Sequence, residues 1–251
     1  MPAAATSRIR RAAAAVALSS TLTLGTAACV PSSGDHKAQT TDPFEDMTGS
    51  KIAEKAFAAT RKAGSATLSR GPGGELANAR LAADTSGKCT GTMTFKPAGT
   101  VELVIPEAET GYLRFDEAYL RAGASSTAEA DTAVKENLNL WTEAAVTDPD
   151  FGPWLGLCDL NGLLNNYEMG AFLSTKGAQT TVGGRKAVTL TRDTGTQKFT
   201  YYVATDGEPY LLRITEEGGD APGTVTLSDF GRKIEAQTPP EAYIKTATDA
   251  E

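Results

Sequence analysis

The sequence predicts an α+β domain, with helices covering one face of an antiparallel sheet. Two observations carry this. Apolar residues alternate at period two in two separate stretches, roughly 66–121 and 188–230, and helical spacing appears before the first stretch and between the two. That order of helix, strands, helices and strands suits helices gathered on one side of a sheet.

The first helix is expected over Lys51–Ala63. Ser50 is a plausible N-cap, Ile52, Ala56, Phe57, Thr60 and Ala63 share a side, and Gly64 is a plausible stop. Strands follow over Leu76–Ala83 and Cys89–Phe95. Val101, Leu103 and Ile105 mark another, and Tyr112–Phe115 and Tyr119–Arg121 continue the meander. Ser126 and Glu129 fit a capping box, with Val134, Leu138 and Trp141 at helical spacing behind them. After an Asp148-Pro149-Asp150 turn, Leu160, Leu163, Leu164 and Tyr167 form a second apolar stripe. Strands then return at Val188 and Leu190. Phe199, Tyr201 and Val203 face Tyr210, Leu212 and Ile214 across an Asp206–Pro209 turn, the clearest hairpin in the chain. Thr224–Phe230 supplies a last strand, and Pro239-Pro240 closes the domain.

The N-terminus has the layout of an export signal. Arg8, Arg10 and Arg11 precede an apolar run, Ala12–Leu24, too short to span a bilayer, and small residues lead to Cys29. The Arg10-Arg11 pair leaves both general secretory and twin-arginine export open. Gly25-Thr26-Ala27-Ala28-Cys29 resembles the lipobox of bacterial lipoproteins, which implies cleavage before Cys29 and a diacylglyceryl group on its sulfur. Two acyl chains, at about 0.8 kcal/mol per buried methylene, anchor where one would not. The expected organisation is a signal peptide at 1–28, a polar tether at 29–50, one domain at 51–240 and a tail at 241–251.

Removing the three signal arginines from 24 basic residues leaves 21 against 31 acidic ones, a formal charge of −10. Nucleic acid demands a basic footprint and is excluded as a partner. The membrane contact is expected through the lipid anchor alone. With Cys29 assigned to the anchor, Cys89 and Cys158 pair by elimination, closing a loop of roughly 70 residues whose entropy is worth about 4 kcal/mol.

Catalytic signals are missing. The single histidine, His36, lies in the tether. There is no Gly-x-Ser-x-Gly or Ser-x-x-Lys motif, and Gly71-Pro72-Gly73-Gly74 lacks the Lys-Ser/Thr of a phosphate cradle. Asp148 and Asp150 begin like a calcium loop but lack its later ligands. Glu107, Glu109, Asp116 and Glu117 read as solvated turn acids. No enzyme, cofactor or metal site is expected. The aromatics Tyr112, Phe115, Tyr119, Phe199, Tyr201 and Tyr210 fall on expected strands, where they either fill a core or line a cavity.

Three stretches, "AEKAFAATRKAGSATLS", "GTMTFKPAGTVELVIPEAETGYLRFDEAYLR" and "YYVATDGEPYLLRI" before "TVTLSDFG", together with the lipobox, resemble the LolA-like lipoproteins of actinobacteria, the LprG and LppX type. The resemblance spans about residues 51–235. It implies a curved half-barrel sheet with helices on its concave face around a hydrophobic cavity, and a lipid or other hydrophobic ligand, since some members carry acylated lipids or lipoglycans. It transfers no catalytic residue. The function expected is an extracytoplasmic, membrane-anchored binder of such a ligand, as carrier or chaperone. The alternative is a filled-core module that binds another envelope protein.

Overall fold

The computed structural model describes residues 42–219 and 222–245; the signal segment, Cys29, His36 and most of the expected tether lie outside them. Twelve strands form one open, curved, mixed sheet. The first six are β1 (Ser65–Arg70), β2 (Leu76–Asp84), β3 (Cys89–Phe95), β4 (Gly99–Glu107), β5 (Thr110–Phe115) and β6 (Trp141–Ala145). The second set is β7 (Thr175–Val182), β8 (Arg185–Asp193), β9 (Gln197–Ala204), β10 (Leu211–Gly218), β11 (Gly223–Ser228) and the two-residue β12 (Ile244–Lys245). The spatial order is β12-β6-β5-β4-β3-β2-β1-β11-β10-β9-β8-β7, so two meanders meet where β1 pairs with β11. Every pairing is antiparallel except β12 on β6.

Period two sets the faces. Leu68 opposes Leu81 and Leu227, Met93 opposes Val101, and Leu103 opposes Leu113, so these side chains share the inner face. Five helices complete the fold: α1 (Gly49–Lys62), α2 (Glu117–Ala122), α3 (Thr127–Asn137), α4 (Gly152–Leu155) and α5 (Leu160–Phe172). Buried Ile52, Ala56 and Phe57 of α1 and Leu160, Leu163 and Leu164 of α5 join the inner-face side chains in one core. Two glycines permit close seating. A Cβ at Gly170 would lie 2.7 Å from Tyr201 Oη, and one at Gly111 would lie 2.5 Å from Leu155 Cδ2.

Local chemistry explains where the sequence reading and the structure part. The Thr48 hydroxyl, not Ser50, caps α1. Ahead of it, Phe44 is buried in the core and Asp42 Oδ2 pairs with Lys176 Nζ at 2.7 Å, so chain from residue 42 onward packs on the domain instead of continuing the tether. Tyr119–Arg121 is helix, not strand. The Asp116 carboxylate accepts the N–H of Tyr119 at 2.7 Å and that of Thr100 at 2.8 Å, which starts α2. Ser126 caps α3 as expected, but the helix stops at Asn137; Asn139 takes φ 68°, and Trp141 belongs to β6. Beyond Pro239-Pro240 the chain runs on to add β12 to the sheet edge.

A second, smaller apolar cluster sits on the outer face, made of Val182, Ala187, Ala204 and Leu212 with Tyr202, Tyr210 and Phe230 around it.

Candidate functional site

Cys89 opens β3 on the inner face and bonds to Cys158, with the two Cα atoms 5.9 Å apart. Asp159 then caps α5, accepting the Gly162 N–H at 2.8 Å. The bridge pins the short segment from α4 to the start of α5 against the sheet. That segment carries Trp154 and Leu157.

Beside it lies a cavity of about 650 Å³. Its apolar wall is Leu76, Phe95, Trp154, Leu157 and Val225, and its polar lining includes Arg70 and Tyr167. The loop Gly71–Glu75 and the residues Pro222–Thr224 frame its rim, so the opening is at one end of the sheet where β1, β2, β3 and β11 terminate. Clefts of roughly 300–1,000 Å³ suit one small ligand.

Five aromatic rings run from this cavity across the inner face. Trp154 lies 5.0 Å from Phe95, 6.0 Å from Tyr119 and 5.7 Å from Phe151, and Phe115 stacks on Tyr119 at 5.1 Å. At the far end Phe115, Tyr119 and Phe151 line a smaller cavity of about 300 Å³ under α2 and α3. A third, of about 700 Å³, lies at the β6–β12 edge, where Phe115 and Phe151 meet Asn137 and Lys245. The rings form a wall with a hollow at each end.

Of the six aromatics singled out from sequence, Phe115 and Tyr119 face these cavities. Tyr201 is 1% exposed and packs edge-on against Phe57 at 6.4 Å, in filled core. Burial pushes its phenol up to about 12. Phe199 meets Tyr167 edge-on at 6.3 Å. Tyr112 and Tyr210 are on the outer face. Tyr112 alternates with core-facing Leu113, and Tyr210 stacks on Phe230 at 4.2 Å. Phe95 and Tyr167 fall on the expected strand and helix but are not singled out from sequence as lining residues. Phe151 and Trp154, beside and within the short α4, carry no strand period that marks them.

The carboxylates have structural work. Asp148 Oδ1 accepts the N–H groups of Asp150 and Phe151 at 2.8 and 3.0 Å, closing a turn. Glu117 pairs with Arg121 along α2 at 2.7 Å. Among the described residues, no cluster of three His, Cys, Asp or Glu side chains could hold a metal.

The structure of LprF from Mycobacterium bovis matches this chain with a TM-score of 0.51 at 11% identity, covering 76% of this chain and 96% of that one. The fold is LolA-like. The lipoprotein LppX of Mycobacterium tuberculosis matches with a TM-score of 0.48 at 12% identity, over 75% of this chain and 98% of its own. No family model matches the sequence. No curated protein matches it either. Among the described residues, no helix of this LolA-like domain is long and apolar enough to cross a membrane.

Proposed function

We propose that this chain is an extracytoplasmic lipoprotein, anchored through Cys29, that binds one apolar chain in the cavity between its sheet and the α4–α5 segment. The observation that carries the reading is that cavity, about 650 Å³ with an apolar wall of Leu76, Phe95, Trp154, Leu157 and Val225. An apolar hollow held open by a disulfide-pinned segment does little for folding, because it gives up the packing a filled core would have. It is useful for holding a guest. The LolA-like fold and the lipobox support the same reading. The proposed organisation is a signal peptide at 1–28, a tether from Cys29 to about residue 41, and one domain.

Native mass spectrometry of the mature chain bearing Cys29→Ala tests the ligand. A co-purified or added single-chain lipid should remain bound in the gas phase. A ligand-free protein that takes up none would sink the reading. The anchor is tested separately, since Cys29→Ala should release the protein from the membrane fraction.

A second reading has its own observation. Around Tyr201 and Phe57 the interior is filled, as a module that binds another envelope protein through its surface would have it. A ligand-free result would favour it.

A further inference from the structure

Arg70 ends β1. It opposes Ala79 on β2 and Val225 on β11, and in the alternation Ala66, Leu68, Arg70 it is the third residue to face inward. A guanidinium therefore stands at an inner-face position where its two predecessors are apolar core. It lines the 650 Å³ cavity. Its Nε is fully buried and, among the described residues, is the buried side-chain nitrogen without a hydrogen-bond partner. No carboxylate among the described residues lies within ion-pair distance of it, although nine other ion pairs form.

The nearby acids are otherwise placed. Glu216 accepts the Tyr167 hydroxyl at 3.3 Å and the Gln197 amide at 2.9 Å. Glu75, in the cavity lining, is exposed to solvent. Burial disfavours the Arg70 charge. Arg70 as a whole is only partly buried, but a partly desolvated cation without a partner still carries a cost, and arginine stays charged at any physiological pH. The cost is recovered when an anion arrives, and the planar fork favours a carboxylate or a phosphate.

We propose that Arg70 is the anchor for the anionic headgroup, a carboxylate or a phosphate monoester, of a single-chain amphipath whose tail lies along Phe95, Trp154 and Leu157. The inference rests on the apolar-cavity reading and adds to it a charge preference. The cavity then has the polarity of its guest, with one cation at the sheet end and an aromatic wall leading away from it.

Three probes with the same tail separate the possibilities: hexadecanoate, hexadecyl phosphate and the neutral hexadecanol. Affinities are measured on the mature chain carrying Cys29→Ala, with and without Arg70→Gln or Arg70→Lys. The unaltered site should prefer at least one anion over the alcohol by about tenfold or more. Which anion it prefers identifies the headgroup. Arg70→Gln should abolish that preference while leaving hexadecanol affinity within about twofold, and Arg70→Lys should keep part of it. Equal affinity for all three probes, unchanged by Arg70→Gln, would overturn the Arg70 assignment and leave the apolar cavity standing. Binding of no probe overturns both. An anion preference that survives Arg70→Gln likewise overturns the assignment, because another group then reads the headgroup.

Discussion

The Thr60 hydroxyl accepts the Leu211 N–H at 3.0 Å and donates to the Ala56 carbonyl at 2.8 Å. The two residues are 151 positions apart, and both are fully buried. Leu211 sits at the register shift between β10 and β9, where the ladder is irregular. One helix side chain thus supplies the acceptor for an amide at that irregularity. Thr60→Val, which keeps the shape, should cost about 1–3 kcal/mol because it leaves that amide buried and unpaired. Thr60→Ser should cost less. Urea denaturation of the three proteins checks the order.

Tyr201 gives the fold an alkaline limit. Its folded pKa, about 12, exceeds the unfolded one of roughly 10, so the neutral phenol belongs to the native state. Stability is full below pH 10 and falls between about pH 10 and 12, as the unfolded chain ionises first. Tyr201→Phe should flatten that part of the curve. Thermal melts across the range, compared with the unaltered protein, measure it.

Arg61 grips Glu168 with a two-pronged bond of 2.6 and 2.7 Å, tying α1 to α5. The arginine's hydrogen bonds hold the Glu168 carboxyl below its usual range. That contribution is present above the unfolded carboxylate pKa and disappears as pH falls through the folded one. Both side chains are partly exposed, so Glu168→Gln should cost no more than about 1 kcal/mol at neutral pH. Its penalty should vanish in acid, which paired melts at neutral and acidic pH would show.

The Cys89–Cys158 bridge spans 69 residues, and reducing it should cost about 4 kcal/mol in the loop-entropy picture. Because the bridge also pins Trp154 and Leu157, ligand affinity should fall alongside stability. Titrating a fluorescent fatty acid into oxidised and reduced protein, at a temperature where both are folded, distinguishes the two effects.

Leu157 is half-buried in the cavity wall. Leu157→Trp should occupy the hollow and reduce uptake of a single-chain lipid at least tenfold, with little change in melting temperature. Unchanged uptake would place the ligand elsewhere.

Much of the sheet was legible in the sequence, because alternation is local: β4 and the β9–β10 hairpin announce themselves within about ten residues. Tyr119 and Trp141 were misplaced for opposite reasons. At Tyr119 an aromatic run hid an N-cap, Asp116, that starts a helix. At Trp141 helical spacing continued by coincidence past Asn139, whose left-handed backbone ends the helix. The cavity was not legible, since its walls come from β1, β2, β3, β11 and the α4–α5 segment and only the folded chain brings them together. One signal was available, though. An arginine in line with Ala66 and Leu68 breaks the apolar alternation of β1, and it marks the site.

The strand order makes β1 both the first strand synthesised and the middle of the sheet. One side of it is completed almost at once by β2, but the other waits for β11, with Thr67 pairing to Ser228 across most of the chain. As the chain emerges, the first meander must therefore present a raw central edge until nearly all of the domain has followed. Such edges recruit other chains, and long-range pairing of this kind is slow. A chain that ends after β5 but before Gly223 lacks β11, and so keeps β1 with one edge bare in the middle of what should be a continuous sheet.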